Sequence, residues 1–279
     1  MESEQRVHSD SIMNEELKSK LEADLKKSGF ASEMEAIKVF LGKDWGCRGG
    51  YHYFDEDEKK NRETDLVAWR VTTVKRPGDQ YLVIACHIVA EVKKTERPWI
   101  VFKRDHTHLF DALDAWNNLT HTVNLPCEPF HLSPVLSAHG LLEMLGWKAY
   151  GIHESFKKPD TPSRWYPAFV SVCKAAEHEL KVQSKSDLKI ETWHKFDLIK
   201  PILILDGPLI AASLTESGEL QLEETDFAPF EFAYKSQAAT KDSYRIDVVR
   251  LNALGKYVEL TDKRMDAIMQ IVSPFMGPP

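Results

Sequence analysis

A mixed α/β fold, with a central mixed sheet flanked by helices and a β-rich C-terminal extension, is expected from three features of the chain. Two apolar, strand-like runs at 66–71 and 81–90 are joined by a turn containing Pro77, Gly78 and Asp79, which reads as a β-hairpin. Apolar residues recur at helical spacing in 14–27 and again in 163–181. From Phe196 onward, short strand runs follow one another and close in an amphipathic stretch at 261–272. At 279 residues the chain can bury a sizeable core.

Residues 1–10 are polar. Leu17, Leu21 and Leu25 then make 14–27 a helix with one narrow apolar stripe, stopped at Ser28 and Gly29. Ser32 and Glu35 have the spacing of a capping box for a second helix reaching about Leu41, with Ile37, Phe40 and Leu41 inward. Glu33 shares that inward face at the first turn. A strand at 51–54 leads into the charged turn 55–62, followed by the hairpin and a strand at 99–103. Short helices are expected at 110–119 and 136–145, and a strand at 147–152. The helix at 163–181 carries Tyr166, Phe169, Val170, Cys173 and Leu180 as a stripe, with Lys174, Glu177 and His178 to one side.

Beyond Phe196, 201–205 reads as a buried strand, 209–214 as its partner, and 219–223, 230–234 and 244–251 as further strands. Met265, Ile268, Met269 and Val272 line the closing helix. The expected organisation is a helical arm (1–30), a core with a helical insertion at about 105–160 (31–185), and C-terminal strands with a helix that complete or extend the sheet (186–279).

Hydrophobic content of 43% and charged content of 28% are those of an ordinary globular protein. No stretch reads as a signal peptide, and no apolar run approaches the roughly 18 residues of a membrane span. The nearest, 198–214, is broken by Lys200 and Asp206. Cys47, Cys86, Cys127 and Cys173 are scattered, which points to reduced thiols and a cytoplasmic setting. His106, His108, His121, Cys127 and His131 have no recognised zinc spacing and read as ordinary surface residues. The net charge of −7 excludes binding to nucleic acid by bulk electrostatics, so such a ligand requires a local basic groove, bound cations or a delivering partner.

The chemistry gathers where the apolar run 81–90 ends in Glu91 and Lys93. Residues two apart on a strand face the same way, so this carboxylate and ammonium emerge together while Val92 points to the opposite face. Asp65 opens the preceding strand, just after Glu63 and Thr64. An acid at the start of one strand followed by Glu-x-Lys on the next resembles the PD-(D/E)xK nuclease superfamily, over roughly 30–105 with a weaker echo to about 182. Thr64 stands where that family has its name-giving proline, and Asp65 and Glu91 are widely spaced.

The resemblance implies a restriction endonuclease-like core and Mg²⁺- or Mn²⁺-dependent hydrolysis of phosphodiesters, in DNA before RNA. It implies Asp65, Glu91 and the Val92 carbonyl as metal ligands, Lys93 beside the scissile phosphate, and a glutamate on the opening helix. That glutamate is Glu33, with Glu22 as the fallback. Lys94 and, from the long helix, Lys174 are the implied substrate contacts. A phage-defence or DNA-processing endonuclease is the expected role, with a homo-oligomer or a regulatory protein as further partners and no membrane. Two alternatives stand beside it: a catalytically silent binding or assembly module with this fold, and an unrelated α/β protein whose strand ends happen to be charged.

Overall fold

Strand β3 (Gln80–Lys94) is buried along most of its length on both faces, and the two faces meet different layers. Its even-numbered residues, Leu82 through Val92, pack with Ala36, Phe40, Leu254, Tyr257 and Ile268. Val89, on the odd-numbered face, packs with Phe169, Val172 and Cys173. This period-two division between layers explains why the segment is an almost unbroken apolar run. The structure is a computed structural model that describes residues 14–105, 119–125, 147–158, 160–185, 192–236 and 239–273.

Among the described residues the helices are α1 (Glu15–Ser28), α2 (Phe30–Leu41), α3 (Trp165–Lys185) and α4 (Leu254–Val272). The other strands are β1 (Gly46–Asp55), β2 (Lys60–Arg76), β4 (Trp99–Asp105), β5 (Leu119–Val123) and β6 (Trp147–Glu154). They continue with β7 (Trp193–Asp206), β8 (Leu209–Leu214), β9 (Leu220–Glu224), β10 (Phe227–Ala233) and β11 (Ser243–Arg250). All join one mixed sheet in the order β1-β2-β3-β7-β11-β10-β6-β4-β8-β9, with β5 against β7. The fold is therefore mixed α/β with a large mixed sheet. The expected hairpin is the antiparallel β2–β3 pair, turned at Gly78, whose φ of 74° suits glycine.

Several elements differ from their sequence patterns. The leucines of α1 face solvent, about half exposed each, and the helix buries no residue. Helix α2 starts at Phe30 directly after Gly29, so Ser32 lies inside it and makes no capping box; its hydroxyl donates to Asp206. Ala36 and Phe40 form the buried face of α2, while Leu41 is exposed. Helix α4 begins at Leu254, seven residues before the expected start, with Thr261 buried inside it. The predicted helices at 110–119 and 136–145 fall outside the described residues, apart from Leu119, which opens β5.

The largest difference concerns the C-terminal strands. Strand β7, read as part of an extension, lies centrally and pairs in parallel with both β3 and β11. Its expected partner β8 instead pairs with β4 and β9. The chain switches neighbours at Gly207, where an added Cβ would stand 2.3 Å from the Thr95 carbonyl oxygen. The 95–98 connection passes there, with Thr95 N–H donating to Asp206 and Trp99 N–H to Pro208. Only glycine permits that approach. No helix among the described residues is long and apolar enough to cross a membrane.

Candidate active site

Asp65, Glu91 and Lys93 meet where the β2–β3 ladder ends. Pairing is regular up to Leu66 opposite Ala90. On the far side of β2, the β1 register lapses at Gly50, opposite Asp65, with φ at 61°. Beyond this point the backbone edge of β3 is free to bond side chains: Thr64 Oγ1 donates to the Ala90 carbonyl at 3.1 Å, and Val92 N–H donates to Asp65 Oδ2 at 2.6 Å. Thr64 thus supplies a buried ladder-like hydrogen bond.

Lys93 Nζ contacts three oxygens: Glu91 Oε2 at 2.8 Å, Val92 O at 3.1 Å and Asp65 Oδ2 at 3.3 Å. Three hard oxygen donors therefore converge on one cationic group. Glu91 is buried, and Ser171 Oγ from α3 donates to its other oxygen at 2.9 Å. Tyr53 holds the same turn of α3 by donating to the Ser171 carbonyl. Ser171 carried no signal in the sequence, because its role depends on how α3 docks. If the site takes a divalent cation, Ser171→Ala is expected to lower Mn²⁺ affinity about 10- to 100-fold with the fold unchanged, measured by calorimetry.

The electrostatics separate the roles. Burial pushes the Glu91 carboxyl above its ordinary value; Lys93 pulls it back and Asp65 adds to the rise. Burial acts to lower Lys93, but Glu91 and Asp65 outweigh it, so the amine stays protonated at neutral pH. Lys93 is a cation held here by the two carboxylates. Glu33, half-buried on α2, lines the same groove, and burial followed by the Asp65 charge raises its carboxyl. Glu22, the fallback, lies exposed on α1.

The site opens into a groove of roughly 920 Å³. Lys26 and Lys27 from the end of α1, Lys94 at the end of β3, Arg97 after it, and Lys157 and Arg164 before α3 line it, with Glu33, Asp65, Glu96 and Glu154 among them. This local concentration of cations, in a chain of net charge −7, is the arrangement that composition alone could not reveal. Lys94 Nζ donates to the Lys26 carbonyl at 2.7 Å, and Arg164 donates to the Lys94 carbonyl at 3.1 Å. Glu154 fixes the start of α3 by accepting from Ser163 Oγ and the Arg164 N–H.

Lys174, expected as a substrate contact, does not line this groove. It donates to Asp55 Oδ2 at 2.7 Å and Glu58 Oε1 at 3.3 Å, and stands 3.6 Å from Asp57. Its charge is already committed to the 55–58 turn. Of the histidine and cysteine set, His121 lies on β5, and the other members fall outside the described residues.

The donors suit a hard divalent cation. Mg²⁺ takes one or two carboxylates and keeps several waters, and Asp65, Glu91 and the Val92 carbonyl supply that number and type of oxygen. No cluster of three or more His, Cys, Asp or Glu side chains with the makings of a metal site occurs among the described residues, so backbone oxygen or water would complete any set here. The chain matches no protein-family model, no curated protein and no solved structure.

Proposed function

We propose that the protein is a metal-dependent nuclease of the PD-(D/E)xK type with a restriction endonuclease-like core, hydrolysing phosphodiesters in DNA. The observation that supports this reading is the meeting of Asp65 Oδ2, Glu91 Oε2 and the Val92 carbonyl around the Lys93 ammonium. A divalent cation bound by those oxygens would polarise the phosphoryl group and acidify a water. Lys93 offsets the negative charge that develops on phosphate as the water adds. Glu33, which lines the same groove, is the opening-helix glutamate that the family resemblance implies beside the two acids. The cations of the groove hold the flanking backbone in register. A role in phage defence or DNA processing fits such an activity.

Manganese calorimetry and plasmid nicking test the proposal together. Wild-type protein is expected to bind the ion and to nick only in its presence, and Asp65→Asn is expected to lose both properties. Both should also fail as pH falls through the elevated Glu91 value, above the ordinary 4.5, because protonation removes a ligand. Plasmid left intact by folded, metal-loaded protein would count for the silent binding module instead.

A further inference from the structure

Every residue of α1 is exposed, its leucines among them: Leu17 at 51%, Leu21 at 45% and Leu25 at 47%. Spaced four apart, the three form one apolar stripe along a helix that buries no residue. The α1 residues that line the groove are Ala23, Lys26, Lys27 and Ser28, and not the leucines, so the stripe is left to solvent. A helix of 14 residues is marginal in water by itself and owes its stability to packing of its apolar face. Among the described residues no layer covers this face.

The charges of the helix indicate what would cover it. Glu15 and Glu16 occupy the first turn, and Lys26 and Lys27 lie in the last. Leu21 stands midway along the stripe, with Lys18 and Glu22 bordering it on one side and Lys20 and Asp24 on the other. A second copy of α1 can be laid antiparallel on the first, with both Leu21 side chains at the two-fold axis. Leu17 then meets the partner's Leu25, Lys18 meets the partner's Glu22, and Lys20 meets the partner's Asp24. The acidic first turn of each helix comes beside the basic last turn of the other, and the helix dipoles oppose. A parallel pair would set Lys18 beside the partner's Lys20 and Glu22 beside the partner's Asp24, like charge against like. Within one chain Lys20 bridges Glu16 at 2.6 Å, an exposed pair that contributes little to stability. We infer that α1 is a homodimerisation helix, which docks on α1 of a second copy of this chain as an antiparallel two-fold pair. The inference is independent of the nuclease reading.

Sedimentation velocity of the full chain over a range of concentrations is the test. A helix about 21 Å long buries less than a standard interface, so dimer is expected to appear at about 10–100 μM protein. Leu21→Lys sets two ammonium groups against each other at the axis and should leave the protein monomeric to about 300 μM. Lys18→Glu combined with Lys20→Glu should weaken the dimer about tenfold or more, and adding Glu22→Lys with Asp24→Lys should restore it. These side chains are all exposed, so the variants keep the fold, as thermal melts would confirm. Orientation is read from crosslinking. Leu17→Cys should form an interchain disulfide when mixed with Leu25→Cys and not when alone, because eight residues of helix hold the two copies of position 17 about 12 Å apart. Wild-type protein that stays monomeric through the whole range, or a dimer indifferent to Leu21→Lys or to the charge reversal, overturns the inference. Leu17→Cys that crosslinks to itself overturns the antiparallel arrangement.

Discussion

Glu91→Gln is expected to abolish metal-dependent cleavage, by at least about 10³-fold, without unfolding the protein. The amide keeps the shape and can still accept the Ser171 hydroxyl bond, but it removes the buried charge that faces the same cation as Asp65. Stability should change little, because two effects oppose each other. Lys93 owes part of its raised value to Glu91 and loses that support. Burial raises the Glu91 carboxyl, so the folded state favours its protonated form. That contribution is present at low pH and is lost as pH rises through the raised value, so the ionised group at neutral pH is a burden on folding. The neutral variant lacks that burden, while Lys93 keeps its contacts to Asp65 and Val92. Thermal melts at two pH values, beside nicking assays, check both halves: a variant that still cuts, or one that fails to fold, contradicts the expectation.

Asp247→Ala should destabilise the fold by about 3–5 kcal/mol, with Tm lower by about 10 °C. Asp247 is buried on β11, where its oxygens accept from Tyr257 Oη at 2.7 Å, Lys200 Nζ at 3.1 Å and Arg245 Nε at 3.4 Å. Burial works to raise its carboxyl, but Lys200, Arg245 and Arg264 together hold it well below the usual range. The truncation leaves Lys200, which burial already pulls down, without that carboxylate and almost fully enclosed at the joint of β7, β11 and α4. Lys200→Met combined with Asp247→Leu should recover much of the loss, because an apolar pair needs no countercharge. Chemical denaturation of the single and double variants measures the difference. Equal losses in both would show that packing volume, and not the unpaired charge, sets the effect.

Lys200 also shows where patterns along the chain mislead. In the sequence it interrupts an apolar run; in the fold it is buried in the central strand and satisfied by a carboxylate from β11. The leucine stripe of α1 marked a helix, as expected, but among the described residues no layer covers it. Lys174 read as an available cation because its carboxylate partners come from a turn more than a hundred residues earlier. Asp65, Glu91 and Lys93 were legible because a tight hairpin brings two consecutive strands together, and strand alternation fixes which side chains share a face.

The chain alone therefore specified the described helices, the β2–β3 hairpin and the side on which Glu91 and Lys93 emerge, since these depend on neighbours a few residues apart. Tertiary packing chose β7 as the partner of β3, set Ser171 against Glu91, and gathered cations from α1, the end of β3, the β3–β4 connection and the approach to α3. Those choices follow from long-range pairing and burial, where many short strands of similar apolar character can compete for one partner. Only the summed contacts of the whole sheet distinguish among them.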